Sequence, residues 1–460
     1  MNRRRFIYNT SAGIAATCLS PGVWAASFDP GNWKHYDFKS FREGQYAVPV
    51  TRVTPGDGFY LHTFYDVCPW SPSGNFLAVT KFPYQGKKPQ WGDIAEVCVI
   101  DLKQQRIKTV YQTKAWGFQL GANVQWGNSN DRFLYTNDII DGQPVCVRID
   151  LEQSVVKAYA GAKYDISPDE RSVISPNLLN MNIHQYGYAV PDGPAGAPFP
   201  FTKDDMGREG LWKTDLVKNE KKLLVPMQQF FEVAQDEEKY AGSTGYLFHS
   251  KFNKQNTRIL QVFRAQVNNK GRNASLFSMN TDGSRLRQCL TAEKWNQVAR
   301  LGGSGNHPNW HPDGEHVIMN CVPSWLGFKD MLFCSFRFDG TDFKILSEKH
   351  MGSGHPSVAA GGKYLLADAY PKQTYVKAPD GEIAIRLVDL RSDRELILCT
   401  IPTDVGGGVR QALPGDKLSG GSQHKLDPHP AWNRNYSQVC FNGAPDGKRQ
   451  VFIADLFKVL

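Results

Sequence analysis

Four of the eleven histidines stand at one recurring place in the chain. His249, His307, His355 and His429 each lie three residues before an aromatic or apolar anchor, namely Phe252, Trp310, Val358 and Trp432. Imidazoles that share one structural slot suit a divalent ion with open coordination positions, or an ion beside a general acid or base. Pro follows three of the four, so a His-Pro step that merely suits the entry to a strand is the plainer reading of any single one. Four together favour a shared site. The last copy sits in Gln423-His424-Lys-Leu-Asp427-Pro-His429-Pro. On an extended segment Asp427 and His429, two apart, point the same way, and His424 could reach back from the preceding loop. For Asp427 a solvated turn before Pro is the competing reading. The ligand candidates are therefore His307, His355, His424, Asp427 and His429, with His249 as acid or base. His311, His316 and His350 are expected on the surface.

These side chains can meet only if the segments carrying them are copies arranged around one axis. The repeat consists of an anchor, a polar turn and an apolar strand, with anchors at Trp70, Trp126, Ile166, Phe252, Trp310, Val358 and Trp432. Several copies continue through a second strand and an Asp-Gly type of turn, as in Ala274–Gly283. Short strands in units of about 40–60 residues are the signature of a β-propeller. The sequence predicts an all-β, seven-bladed propeller over residues 26–460. A long insertion is expected around residues 170–248. The wide interval from Ile166 to Phe252 leaves eight blades as the alternative. The final copy ends early, so Tyr46–Val53 should close the ring from the N-terminal side. Asn123 occupies the histidine slot of the second copy and is a candidate substrate-binding group.

Composition narrows the class. The 460 residues are 41% hydrophobic and 21% charged with a net charge of +8, an ordinary globular profile. No apolar run reaches the roughly 18–20 residues of a membrane span. Residues 1–25, with Arg3-Arg4-Arg5-Phe6-Ile7 and Val23-Trp24-Ala25, resemble a twin-arginine export signal, implying a periplasmic or secreted protein. The eight cysteines beyond Cys18 form no CxxC pair and sit mostly in apolar runs; buried free thiols are expected, with one or two disulfides as the alternative. No GxSxG elbow, P-loop or HExxH occurs. No nucleic acid partner is expected.

His307-Pro-Asn-Trp310 and Asp427-Pro-His429-Pro-Ala-Trp432, each within the repeat, resemble the oligogalacturonate lyase family of polysaccharide lyases. The resemblance implies a seven-bladed propeller, a manganese-type ion held by three His and one Gln, and cleavage of uronic-acid oligomers by β-elimination. It places ligands at His307 and His429 and the catalytic histidine at His249. The sequence departs from the pattern at His424, where the family has Gln, and at Asp427, where it has His. The implied cofactor is a divalent metal, Mn first and Zn or Ca otherwise; the implied partner is an acidic oligosaccharide.

The chemistry asks for the same parts. The C5 proton of a uronate becomes removable once its carboxylate is neutralised by a metal or an Arg. A base then takes the proton while an acid assists departure of the 4-oxygen. Arg264, on the apolar run after His249, is the candidate carboxylate partner. Tyr188 is the candidate proton donor and Tyr186 a sugar platform, both in the long insertion. Galacturonides come first as substrate, with glucuronate or iduronate polymers second. The Trp310-His-Pro-Asp-Gly turn also resembles the propeller of TolB, a non-catalytic binding module. A glycoside hydrolase would need two facing carboxylates, and the repeat has no acidic slot.

Overall fold

A computed structural model describes residues 25–27, 32–185, 187–191, 193, 202–240, 242–266, 272–405 and 426–460. The apolar runs of the repeat form seven antiparallel sheets of four or five strands, and the chain is a seven-bladed propeller. The eight-blade alternative falls because the interval after Ile166 holds one blade with an insertion. That third blade comprises Asp165–Ile166, Ser172–Ser175, Gly210–Asp215 and Glu220–Pro226, with residues 176–209 between its second and third strands. The insertion carries a short helix, Leu178–His184, capped by Asn177, whose side chain accepts from the backbone N–H groups of Leu179 and Asn180.

The ring closes as the early end of the last repeat requires. Ala431–Trp432, Gln438–Gly443 and Gln450–Asp455 are completed by Val50–Arg52 and then Lys39–Ser40 from the N-terminal side. Phe452, Ile453 and Ala454 pair with Arg52, Thr51 and Val50. Arg42 adds a bidentate ion pair with Glu382 of the sixth blade, at 3.0 and 2.6 Å. Lys34–His35 and Ala25–Ser27 add outer strands to the first and second blades.

Two of the anchors tie a blade to the one before it. Trp126 Nε1 donates to the Pro69 carbonyl and Trp310 Nε1 to that of Lys251, each on the blade before. All eight described cysteines are unpaired and seven are buried, which removes the disulfide alternative.

One inner strand breaks the pattern. In the first blade it runs over Phe59–Leu61 and resumes only as a bridge between Trp70 and Leu77. The intervening loop enters the axial channel, so Val67, which lies three residues before the anchor Trp70, does not carry the ring position that this spacing suggests. Instead Phe64 and Tyr65, both buried, fill the axis.

Closure by Val50–Arg52 should be a measurable share of the stability. The Thr51→Pro substitution removes a ladder donor in the middle of that strand and should lower the thermal midpoint by several degrees. An unchanged melt would show that the ring does not depend on this strand.

Candidate metal centre

The slot three residues before the anchor is a backbone device. Asn123, His249, His307 and His429 have φ of 49°, 54°, 52° and 49°, a left-handed conformation uncommon outside Gly. Register breaks at Phe248/Ser250 and Asn306/Asn309 mark bulges at two of them, and such bulges re-aim a side chain beside a site. In the sixth blade Gly354 takes the positive φ, 63°, one residue ahead of His355.

These turns bring the histidines together. The rings of His307 and His355 are 3.9 Å apart between centroids, and those of His355 and His429 are 4.4 Å apart. Ligand atoms of His355, Asp427 and His429 lie within 4.8 Å of one another, all three residues buried. Asp427 and His429 do share one side of their extended segment. That segment is pinned by Asn442, whose backbone N–H donates to the Pro428 carbonyl (2.8 Å) and whose Nδ2 donates to that of Asp427 (3.4 Å). His249 stands one ring away, with Phe64 between: the Phe64 centroid is 5.2 Å from His249 and 4.4 Å from His429.

The nitrogens left for a metal can be read from the hydrogen bonds. His307 Nδ1 lies 2.6 Å from the Gly354 carbonyl, which can only accept, so the proton is on Nδ1 and the Nε2 lone pair is open. His355 Nδ1 lies 3.0 Å from both oxygens of the fully buried Asp368, fixing the same tautomer. Asp368 also accepts from the His355 backbone N–H at 2.6 Å. Tyr370, two residues on, donates its hydroxyl to Asp427. A carboxylate behind a ligating imidazole is the usual outer shell of a metal site. The fit is clearest at His429: it is fully buried, and neither ring nitrogen has a hydrogen-bond partner among the described residues. Burial holds His249, His307 and His429 well below the ordinary histidine range, so each is a neutral imidazole, the form that binds a metal. Burial and the nearby charge of Asp427 push Asp368 up to about 6. Two or three imidazoles and a carboxylate suit Mn or a related divalent ion.

The remaining candidates divide. Arg264 extends over the Phe248 ring, 4.9 Å from its centroid, and Nη1 donates to Gln185 Oε1 at 2.6 Å. Tyr188, half-buried, packs edge-on against Phe248 at 5.0 Å and against Phe64, which contacts the histidines, at 6.1 Å. Tyr186 and His424 lie outside the described residues. The Asn123 side chain is engaged at the junction of the second and third blades. Its Nδ2 donates to the Tyr164 carbonyl (3.0 Å), and its Oδ1 accepts from Lys163 Nζ (3.1 Å). It lines a different space, a chamber of about 510 Å³ that none of the four histidines borders. His311 and His316 sit partly exposed, both paired with Asp313, and His350 is also partly exposed.

Asp368, Tyr370, Phe64 and Tyr65 were not anticipated. Asp368 had a signal, since a carboxylate in Leu365-Leu-Ala-Asp368-Ala interrupts an apolar strand. The Phe64-Tyr65 plug had none, because nothing in the spacing shows that a loop leaves its sheet.

No family model and no curated protein matches the chain. Solved structures do. A manganese complex of an oligogalacturonate lyase superposes with a TM-score of 0.63 at 15% identity, over 94% of this chain and 99% of that one. The oligogalacturonate lyase of Vibrio parahaemolyticus gives 0.62 at 15% identity with the same coverage. The chain has the fold of the oligogalacturonate lyases. TolB from Acinetobacter baumannii superposes at 0.37, with 12% identity over 83% of this chain. The match to the oligogalacturonate lyase propellers covers nearly the whole chain.

Asp368 can be tested by metal titration. Asp368→Asn should weaken Mn(II) binding about 10–100-fold, as loss of an outer-shell carboxylate does. In a His355→Ala background the same change should add little. Equal losses in both backgrounds would show that Asp368 does not act through His355.

Proposed function

We propose that the chain is a metal-dependent lyase that cleaves uronate-containing oligosaccharides by β-elimination. The observation that carries this reading is the convergence of His307, His355, Asp427 and His429, with neutral His249 against the same Phe64 ring that His355 and His429 contact. Galacturonides are the first candidate substrate and glucuronate or iduronate polymers the second. A divalent ion held by His355, Asp427, His429 and His307, with Mn the first choice, would draw charge from the substrate carboxylate and make the C5 hydrogen more acidic.

The protein groups supply the rest. Arg264, steadied by Gln185, gives a second cation for the carboxylate. His249 is buried and neutral, and its Nδ1 lies 3.4 Å from the Tyr164 hydroxyl; its Nε2 takes the C5 proton. The C5–H electron pair becomes the C4=C5 double bond, the C4–O bond breaks, and the departing oxygen is protonated. Tyr188, whose hydroxyl is borne on the insertion, is the donor. The Phe64 and Tyr65 rings close the floor beneath the histidines and keep water from the base. The Arg3–Arg5 motif, outside the described residues, fits export of such an enzyme to the cell envelope.

Wild-type protein given Mn(II) and oligogalacturonides should yield product with the ultraviolet absorbance of an unsaturated uronate. Chelation should abolish this signal and added metal restore it. His249→Ala should lower turnover at least about 100-fold while Mn(II) affinity stays as in wild type. His429→Ala should lose the metal itself. Full activity after complete chelation would end the metal-dependent reading, and an active His249→Ala enzyme would end the assignment of the base.

A further inference from the structure

The loops on the histidine side of the fifth and sixth blades carry an unusual surface. Ten large hydrophobic side chains are exposed among the described residues. Four of them stand here: Val298 (72% exposed), Trp325 (37%), Leu326 (53%) and Tyr375 (64%). They include the only exposed Trp and the only exposed Tyr of the ten. The three loops concerned, 291–306, 322–331 and 370–381, hold five basic residues against three acidic ones. Two of the bases lie directly on the aromatics. Lys294 Nζ is 5.2 Å from the centre of the Trp325 ring, and Arg300 Nη2 donates to the Tyr375 hydroxyl at 3.0 Å while pairing with Asp330.

This surface is continuous with the metal centre. Loop 291–306 runs directly into His307, and loop 370–381 starts at Tyr370, which bonds Asp427. The loops are tied to one another and to the segment before His355. Arg300 N–H donates to the Lys329 carbonyl and Gly352 N–H to that of Met331, each at 2.8 Å, and the Ser353 hydroxyl donates to Gln373 Oε1 at 3.1 Å. Trp325 also packs edge-on against Phe343 at 5.2 Å, beside the outermost strand of its blade, Lys344–Ile345. The loops therefore link the histidines at the axis to the rim of the propeller.

Exposed aromatic faces cost free energy in water and commonly mark a binding surface. Flat rings bordered by ammonium and guanidinium groups match one ligand chemistry: pyranose rings whose apolar faces stack on Trp or Tyr and whose carboxylates meet the cations. We propose that Trp325 and Tyr375 form an accessory binding track that holds the distal sugars of an acidic oligosaccharide while one end occupies the metal centre. The inference rests on the uronate reading above for the identity of its ligand. It gives the enzyme a preference for longer chains, because sugars far from the reacting bond supply binding energy that a dimer cannot.

The test uses chelated, metal-free protein and hexagalacturonate, so that binding is read without turnover. Wild type should bind the hexamer more tightly than the dimer. Trp325→Ala and Tyr375→Ala should each weaken hexamer binding by up to about tenfold, and Lys372→Glu with Lys377→Glu should weaken it most at low salt. All four side chains are exposed, so unchanged thermal melts should confirm folding. Wild-type affinity in both aromatic variants, or no hexamer binding by wild type, would overturn the track. So would a wild-type dimer that Trp325→Ala dissociates, since the patch would then be a contact between copies. If the hexamer binds through these rings but no uronate is ever cleaved, the lyase reading fails and the track stands. If cleavage occurs and the variants bind normally, the reverse holds.

Discussion

The centre depends on keeping several imidazoles neutral in a space from which water is largely excluded. Rings 3.9 and 4.4 Å apart cannot carry charge together, because like charges at such distances repel strongly in a poorly polarisable interior. Burial removes the protons, and what remains to be set is which nitrogen keeps its hydrogen. Gly354 settles this for His307 through its carbonyl, and Asp368 settles it for His355 through its carboxylate. One two-residue step, Gly354-His355, thus orients two potential ligands. A Cβ at residue 354 would collide with the Asp368 backbone and carboxylate, and the backbone there is left-handed, so Gly is the residue the position admits.

The same economy appears in the inner strands. A β-strand alternates its side chains between two faces, and a regular inner strand cannot turn every needed group toward the axis. The left-handed residue at the slot adds a local twist, re-aiming His249, His307 and His429 without altering the rest of the blade. This conformation is strained for a β-carbon-bearing residue. Its recurrence at Asn123, where no metal ligand is offered, shows that the twist belongs to the repeat and that histidine exploits it.

Much of the fold was legible because the repeat is a physical unit: each copy must bury its apolar strands against the next, so the anchors Trp126 and Trp310 announce blades in the sequence itself. Circular closure was legible too: the expected closing segment, Tyr46–Val53, contains the strand Val50–Arg52 that pairs with the last blade. The histidine convergence followed from rotational symmetry alone. The plug did not. Phe64 and Tyr65 leave the first blade where a strand was expected, and a departure from a repeat has no periodicity to reveal it. Asn123 differs in its partners: equivalent slots share a backbone conformation, and Lys163 engages the Asn123 side chain from the neighbouring blade.

The plug also explains why the propeller offers two unlike compartments. An open axial channel would let water and ions reach the histidines from both ends. With Phe64 and Tyr65 in the axis, the imidazoles face one mouth, and the roughly 510 Å³ chamber on the other side is bordered by a different set of groups. Asp66, next in the loop, pairs there with buried Lys251 at 2.5 Å, and Lys251 Nζ also donates to the Pro308 carbonyl at 2.7 Å. Removing water from one buried ion pair is costly unless its hydrogen bonds are well met, and here the Tyr65 hydroxyl and a backbone carbonyl meet them. The loop is thus anchored by charge at Asp66 while its two rings, packed against the imidazoles, form the floor of the centre. A chain with the same repeats but a regular first inner strand would keep its histidine ring and lose the enclosure that makes those histidines neutral.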